Sequence, residues 1–160
     1  MSTDKASTQS SQVSRKQLID LLNDDLAREY QAIIAYTVYS QVIDGAEYMT
    51  IANELEVHAG EELKHALTIA RQIDYLGGVP TATPKAVKMS DKPKDLLQFD
   101  LDNEIETIAN YRERVRQCEA LGEFALAEQI REILVDEQDH AIELAAALGV
   151  KVPDISHRSK

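Results

Sequence analysis

The sequence has little of several features that define common protein classes. It contains one cysteine, Cys118, which excludes a disulfide framework, a cysteine-based zinc ribbon and a rubredoxin-type iron site. No apolar run approaches the roughly eighteen residues that a membrane-spanning helix needs. The first residues also lack the apolar segment of a secretory signal. Together these absences predict a protein of the reducing cytoplasm.

Positive charge is also scarce in this chain. There are 17 Lys and Arg against 28 Asp and Glu, which gives a formal net charge of −11. Because DNA binding depends on neutralising phosphates, this excess of acid opposes it and favours the attraction of cations. We therefore expect neither a nucleic acid nor a membrane as partner. The length of 160 residues predicts one domain, and a hydrophobic fraction of 44% is typical of a globular protein.

Apolar residues recur every three or four positions in four segments, which predicts four amphipathic helices. Helix-capping residues and glycines mark their ends, and a long segment with two prolines separates the second helix from the third. The expected boundaries are, in chain order, Ser14 with its capping-box partner Gln17, Val42 before Asp44-Gly45, Gly77-Gly78, Ser90 or Asp91 as the cap of the third helix, Leu121-Gly122 and Gly149.

The connections between these segments indicate how the helices pack. No proline falls in the body of a predicted helix, and the alternation typical of strands is absent. Two short loops and one long crossover predict an all-α four-helix bundle with up-down-down-up topology. The alternative, a solenoid of two helical hairpins, would leave each hairpin's apolar face poorly covered. We predict a disordered tail over residues 1–13, the bundle over 14–149 and a C-terminal tail over 150–160.

The predicted helices contain an internal repeat with an offset of 75 residues. Identity between two unrelated positions is expected about once in twenty, so four functional matches remain rare after about a hundred offsets are searched. The repeat is therefore the strongest functional signal in the chain. The matching pairs are Glu29 with Glu104, Tyr36 with Tyr111, Glu62 with Glu137, and His65 with His140.

Six residues of this repeat predict a site for two metal ions. Each Glu-x-x-His pair is spaced i, i+3, so both side chains project from one helix face. The six lie on apolar stripes, where four facing carboxylates repel one another and need a counter-charge. Two cations supply it, and carboxylates with one imidazole per ion suit iron or, alternatively, manganese. The predicted ligands are Glu29, Glu62, His65, Glu104, Glu137 and His140.

An exposed acidic face is the other interpretation of glutamates at helical spacing. Here the exposed faces are identified separately by charged residues that lie off the Leu/Ile stripe, which favours the metal site. These residues are Asp24, Arg28, Arg112 and Arg116.

Residues next to the predicted ligands are open to more than one interpretation. Tyr36 is either a redox participant or a buried aromatic that hydrogen-bonds a carboxylate, and for Tyr111 we favour the second role. Glu61 and Asp136 each precede a ligand glutamate, and we expect them to accept the free N–H of a ligand histidine across the bundle. We expect His58, one turn earlier on the second helix, to be partly exposed rather than a third imidazole at the site.

The same residues resemble the ferritin-like di-iron superfamily and, within it, bacterioferritin. One glutamate on each of two helices and a Glu-x-x-His on each of the other two is the pattern of that superfamily. The similar segments are 29–36, 62–66, 111–113 and 136–140, within a resemblance over about 16–149. It implies a ferroxidase that oxidises Fe(II) to Fe(III) with O2 or H2O2 at an intrasubunit di-iron centre, for iron storage or detoxification. Tyr36 would donate an electron beside this centre.

Three departures from bacterioferritin change what the resemblance implies. Leu63 stands where the family has its haem-binding methionine, so we expect no haem. Only about eleven residues follow Gly149, with Pro153 among them, so the family's short fifth helix is not expected. The homo-oligomer would then be a smaller cage or a dimer. Val57 stands where some members have the histidine of an inner-surface iron site.

Two other functions fit the same six residues. The first is a peroxide-reducing di-iron or di-manganese protein similar to rubrerythrin or manganese catalase, although the chain has no Cys-x-x-Cys module for electron transfer. The second is a miniferritin-like assembly that shields DNA, or a plain interaction bundle, and the net charge of −11 opposes DNA binding.

Overall fold

The computed structural model describes residues 13–156, and four long helices make up most of that range. They are α1 (Arg15–Val42), α2 (Met49–Tyr75), α3 (Pro93–Ala120) and α4 (Phe124–Leu148), with a 3₁₀ turn at Ala46–Tyr48 leading into α2. No strand occurs between residues 13 and 156, and no helix there is long and apolar enough to cross a membrane. Residues 1–12 of the predicted N-terminal tail and residues 157–160 of the predicted C-terminal tail lie outside the described range.

Contacts between the helices define the topology of the bundle. Asp25 of α1 binds Arg114 of α3, and Tyr36 of α1 binds Glu104, which lies earlier on α3, so these two helices run antiparallel. α4 runs antiparallel to α2 in the same way, through the pairs His58–Glu143 and His65–Asp136. The order is therefore up-down-down-up with one long crossover, which confirms the predicted four-helix bundle and excludes the solenoid.

Local chemistry accounts for the start of α1 and the end of α4. The Ser14 side chain accepts a hydrogen bond from the Gln17 backbone N–H at 3.2 Å, and the Ser14 N–H donates to Gln17 Oε1 at 2.8 Å. This is the predicted capping box. α4 ends at Gly149, whose φ of +71° lies in the left-handed region that favours glycine.

The start of α3 differs from the prediction that Ser90 or Asp91 is its cap. The capping position is Lys92, and Pro93 begins the helix. A residue before proline is restricted to extended backbone, and Lys92 has φ −106° and ψ 118°. Ser90 instead accepts from the Lys92 backbone N–H at 3.1 Å and donates to Asp95 at 2.7 Å, so it stabilises the turn that leads into the helix.

The crossover between α2 and α3 is held against α1 by hydrogen bonds. The Lys85 backbone N–H donates to the Ala27 carbonyl at 3.0 Å. The Asn23 side chain accepts from the Thr81 backbone N–H at 2.7 Å and donates to the Val79 carbonyl at 3.1 Å. The crossover therefore covers one side of α1 without regular secondary structure of its own.

The hydrophobic core consists of two clusters that leave the middle of the bundle to polar side chains. One lies where the N-terminal parts of α1 and α4 meet the C-terminal parts of α2 and α3, and it includes Leu22, Ile69 and Ile130. The other contains the opposite end of the bundle, including Leu55 and Leu101. The polar layer between them is where the predicted ligands lie.

Candidate metal centre

The six predicted ligand side chains meet in the middle of the bundle, one from each of α1 and α3 and two from each of α2 and α4. None of the six residues is more than 4% exposed. A carboxylate buried to this degree is costly unless a counter-charge or several hydrogen bonds accompany it. The residues are Glu29, Glu62, His65, Glu104, Glu137 and His140.

The first half of the centre is built around His65. Its Nδ1 lies 3.2 Å from Glu62 Oε2, 3.4 Å from Glu137 Oε1 and 3.6 Å from Glu29 Oε2. One ligand atom from each of these four residues lies within 4.8 Å of all the others, a spacing that could hold a metal ion.

The second half is built in the same way around His140. Its Nδ1 lies 3.0 Å from Glu62 Oε1, 3.5 Å from Glu137 Oε2 and 3.5 Å from Glu104 Oε1. These four residues again have ligand atoms within 4.8 Å of one another. The two halves share Glu62 and Glu137, each of which presents one oxygen to either side.

The donor atoms of this centre fit a cation. Five of them are buried and have no hydrogen-bond partner among the described residues. Because buried polar atoms almost always have a partner, lone pairs that converge without one indicate the place of an ion. Oxygen donors with one imidazole on each side suit iron or manganese. The five atoms are Glu29 Oε2, Glu62 Oε1, both carboxylate oxygens of Glu137, and His140 Nδ1.

Without a cation, protons must balance the charge of this cluster. Burial, together with repulsion from Glu62 and Glu137, raises the pKa of Glu29 well above its usual value. Burial and the charge of Glu137 raise the pKa of Glu104 in the same way. Burial alone would lower the pKa of His65, but the close carboxylates of Glu137 and Glu29 favour its charged form, outweigh that effect and raise the pKa.

Glu62 and His140 are both shifted towards their charged forms. Burial alone would raise the pKa of Glu62, but the adjacent imidazoles of His140 and His65 hold it below its usual value. Burial alone would lower the pKa of His140, but the adjacent carboxylates of Glu104 and Glu137 raise it. A cation that binds here therefore replaces protons on both imidazoles and on some carboxylates.

Each of the two histidines contacts a carboxylate of the opposite helix through Nε2, the ring nitrogen that does not face the central glutamates. His65 Nε2 lies 3.0 Å from Asp136 Oδ2, and His140 Nε2 lies 2.8 Å from Glu61 Oε2. An acceptor at Nε2 keeps a proton there and orients the ring so that Nδ1 faces three of the four glutamates. The structure thus places Glu61 and Asp136 where the sequence predicted them.

Both tyrosines of the repeat donate a hydrogen bond to a ligand glutamate. The Tyr36 hydroxyl donates to Glu104, and the Tyr111 hydroxyl donates to Glu29. Burial and the neighbouring carboxylates raise the pKa of both phenols well above the usual value, so both remain protonated donors. The Tyr36 ring also packs edge-on against His140, with 5.9 Å between the ring centroids.

His58 is buried, so the prediction that it is partly exposed is wrong. It is 1% exposed, its ring stacks on His140 with 4.0 Å between centroids, and its Nε2 lies 2.6 Å from Glu143 Oε2. The reason is its position four residues before Glu62, which puts it on the same inward face of α2.

Three buried charged residues of the polar layer were missed by sequence reasoning. Asp25 forms a two-pronged ion pair with Arg114, with N···O distances of 2.6 and 3.1 Å. Asp100 is 2% exposed, and its Oδ2 has no partner within residues 13–156. Burial and the nearby Glu62 raise the pKa of Asp100 well above its usual value. Asp25 and Asp100 are 75 positions apart, so the internal repeat could have revealed them.

Arg28 lies beside the centre rather than on a separate exposed face, which corrects the prediction. Its side chain is 13% exposed and forms an ion pair with Glu106 of α3. A narrow cavity at the α1–α3 seam reaches the carboxylates, and Arg28, Gln31 and Asn103 are among its lining residues.

Comparison with known proteins gives a family and several relatives. The model of the ferritin-like domain matches residues 19–151 of this chain. A bacterioferritin of Brucella melitensis is 27% identical over 124 residues, which cover 77% of either chain. A bacterial ferritin of Synechocystis is 30% identical over 136 residues, which cover 84% of this chain and 85% of the relative.

Solved structures with the same fold include two bacterial proteins. A ferritin-like, diiron-carboxylate protein of Bacillus anthracis superposes with a TM-score of 0.81 at 34% identity, covering 84% of this chain and 96% of that one. A dodecameric thioferritin of Bacteroides fragilis, described as bacterioferritin-related, superposes with a TM-score of 0.79 at 29% identity, covering 86% of this chain and 88% of the other.

Proposed function

This chain belongs to the ferritin-like domain family, and we propose that it is a ferroxidase, which oxidises Fe(II) to Fe(III) with O2 or H2O2 for iron storage or detoxification. The observation that carries the proposal is the set of five buried donor atoms without a hydrogen-bond partner, four carboxylate oxygens and one histidine nitrogen, that converge in the middle of the bundle. Two Fe(II) ions bind per subunit as substrate, and each gives one electron to the oxidant.

The six side chains have distinct roles in this proposal. Glu62 and Glu137 would each hold both ions, because each presents one oxygen to either half of the centre. Glu29 binds one ion only and Glu104 the other, each steadied by a tyrosine hydroxyl. One histidine completes each half, oriented by the carboxylate behind it. The carboxyl groups of Glu29 and Glu104 give up their protons when the ions bind.

Glu137→Gln is the variant that tests the centre most directly. It keeps the size of the side chain but removes the negative charge and replaces one of the two oxygen donors, so the residue can no longer give an oxygen to both halves. Loss of an outer partner already costs about 10–100-fold in metal affinity or activity, so loss of a bridging ligand should slow Fe(II) oxidation by about a hundredfold or more. Stopped-flow absorbance of Fe(III) formation measures the rate, and anaerobic titration with Fe(II) measures binding.

The matched control is Glu128→Gln on the exposed face of α4. It makes the same chemical change away from the centre and should oxidise Fe(II) at the wild-type rate. A wild-type protein that forms Fe(III) no faster than buffer would overturn the proposal, and so would an unaffected Glu137→Gln variant. Running the assay with O2 and then with anaerobic H2O2 separates a ferroxidase from the peroxide-reducing alternative.

We also infer that the functional unit is a homo-oligomer, either a small cage or a dimer. The Bacteroides fragilis relative is dodecameric. Several large apolar side chains of α2 and α4 are more than half exposed in the single chain, which is typical of surfaces that pack against other copies. They are Val57, Leu63, Leu67, Val135 and Ile142. Light scattering should give a mass well above 17.9 kDa, and a monomer would contradict the inference.

A further inference from the structure

We propose that Glu54, His58 and Glu143 form a further binding site for a divalent cation, on the α2–α4 seam beside the six-residue centre. One ligand atom from each of the three residues lies within 4.8 Å of the others. Glu54 and His58 are one turn apart on α2, and Glu143 faces them from α4. One imidazole with two carboxylates is a donor set for Fe(II), Mn(II), Co(II) or Zn(II).

The environment of His58 independently indicates a ligand. The residue is 1% exposed, and its Nε2, which lies 2.6 Å from Glu143 Oε2, is the ring nitrogen that faces the proposed site. Its Nδ1, on the other edge of the ring, is buried with no hydrogen-bond partner in the described part of the chain. An unsatisfied nitrogen in a polar interior requires an explanation such as an ion or an ordered water. His58 also belongs to a second convergent group, with Glu61 and His140, whose ligand atoms lie within 4.8 Å of one another.

The proposed site lies at the protein surface, whereas the six-residue centre is buried and is reached through the narrow cavity at the α1–α3 seam. The Glu143 side chain is 44% exposed and Glu54 is half-buried. The His58 ring separates them from His140, on which it stacks with 4.0 Å between the ring centroids. A cation held by these carboxylates would therefore be one imidazole ring away from a ligand of the buried centre.

The internal repeat shows that this donor set is not a by-product of duplication. With the offset of 75 residues, Glu54 corresponds to Gln129 and His58 to Ile133, and Thr68 corresponds to Glu143. Gln129, Ile133 and Thr68 line a surface pocket beside His65, at the other end of the same seam. These three equivalent residues offer no carboxylate or imidazole to a cation, so the repeat does not reproduce the Glu54, His58 and Glu143 donor set at the His65 end.

Crystals of the full-length protein soaked in Co(II) test the proposal. Anomalous difference maps of the wild type should show a peak among Glu54, His58 and Glu143, in addition to those among the six central ligands. Glu143→Gln and Glu54→Gln each remove one carboxylate on the solvent side, and both should lose this peak while keeping the central ones. Calorimetric titration with Co(II) should show one ion fewer per chain in either variant.

Glu132→Gln is the matched control, because Glu132 is an exposed carboxylate at the His65 end of the seam. It should bind as many ions as the wild type. The inference fails if the wild type shows no peak at this site when the central peaks are filled, or if the peak persists in both variants.

The result is separable from the proposed function, since none of the three residues belongs to the six central ligands. A peak at Glu54, His58 and Glu143 with no ion at the centre would support this inference and overturn the ferroxidase. Ions at the central positions without a peak at Glu54, His58 and Glu143 would overturn this inference and leave the ferroxidase proposal standing.

Discussion

At the scale of single residues, the two central histidines show how a ligand atom is aimed. Each imidazole has one nitrogen at a carboxylate on the partner helix, and the other nitrogen faces three of the four central glutamates. The outer carboxylates are partly exposed, with 46% for the Asp136 side chain and 32% for Glu61. They can therefore be substituted without opening the apolar core.

Asp136→Asn should weaken metal binding without preventing folding. The change removes the charged acceptor behind His65, so the imidazole loses both orientation and basicity. Affinity for one of the two ions should fall by about tenfold, the lower end of the range for such partners, because Asp136 is partly exposed. Calorimetric titration with Zn(II) measures this, and Asp139→Asn, an exposed neighbour on α4, is the control. Equal affinity in both variants would mean that packing alone orients His65.

Tyr36→Phe and Tyr111→Phe form a matched pair that separates a redox role from a structural one. Each variant loses one hydrogen bond to a ligand glutamate, so any effect common to both is structural. If Tyr36 donates an electron, its variant should oxidise Fe(II) about tenfold more slowly than the Tyr111 variant, equivalent to about 1.4 kcal/mol in the barrier. A freeze-quenched tyrosyl radical should then be absent in Tyr36→Phe alone. Equal rates and equal radical yields would assign both tyrosines a positioning role.

The sequence predicted the central residues because their spacing repeats, and it failed where burial depends on a neighbour. Glu-x-x-His at i, i+3 places its side chains together whatever surrounds the helix. His58 has no equivalent in the second half of the repeat, so nothing in the sequence showed that it stacks on His140. Arg28 was assigned to solvent because of its charge, whereas its long side chain reaches Glu106 on α3.

At the scale of helices, alanine substitution should have opposite effects on stability at two glycines. Gly60 lies within α2, and Gly78 lies in the segment that follows its C-terminus. A Cβ on Gly78 would lie 2.5 Å from Ile19 Cγ2 and 3.1 Å from Ile73 Cγ2, whereas one on Gly60 would meet nothing within 4 Å. Gly78→Ala should therefore lower the free energy of unfolding by about 1–3 kcal/mol. Gly60→Ala should raise it by up to about 1 kcal/mol through helix propensity.

Urea denaturation of the metal-free protein measures both changes. The two variants are each other's control, since the chemical substitution is the same and only the surroundings differ. Changes of the same sign would show that the close contact between the exit of α2 and Ile19 does not form in solution.

Helix boundaries were predictable where one residue's chemistry decides them. The capping box of Ser14 and Gln17 satisfies backbone groups at the start of α1, and Gly149 does so at the end of α4. Both boundaries lie where they were predicted. The start of α3 was placed too early, because Pro93 constrains the residue before it and so shifts the cap to Lys92. The bound crossover could not be predicted either, since its hydrogen bonds join positions more than fifty residues apart.

At the scale of the whole molecule, the two halves of the duplicated bundle differ in whether a buried aspartate has a positively charged partner. Asp25 has Arg114 as its counter-charge, whereas the equivalent of Arg114 beside Asp100 is Tyr39, whose hydroxyl donates to the Lys88 carbonyl. The uncompensated Asp100, the additional His58 and the solvent-side glutamates all lie at the same end of the centre. The buried charged residues therefore follow the twofold internal repeat less closely than the helices do.

Raising the pH should destabilise the metal-free protein. Glu29 and Glu104 have folded-state pKa values above the usual 4.5, and His65 and His140 above the usual 6.5, so the folded chain binds more protons than the unfolded chain. Their stabilisation is complete below those usual values and is lost as the pH rises through the folded-state values. The lowered pKa of Glu62 acts only in acid, below about 4.5. Thermal unfolding should therefore show a melting temperature that falls by several degrees from about pH 6 to about pH 9.

Bound cations should reverse this dependence, because they take the place of the protons. Metal binding releases protons from the imidazoles and carboxylates, so the stabilisation by Mn(II) or Zn(II) should grow as the pH rises. The melting temperatures with and without metal should therefore diverge towards alkaline pH. In the double variant Glu29→Gln, Glu104→Gln, two of the four groups no longer titrate, so the metal-free protein should lose less stability over the same range. Parallel curves of melting temperature against pH for the metal-free and metal-loaded wild type would contradict this. They would show that cations do not replace protons on the buried carboxylates and imidazoles.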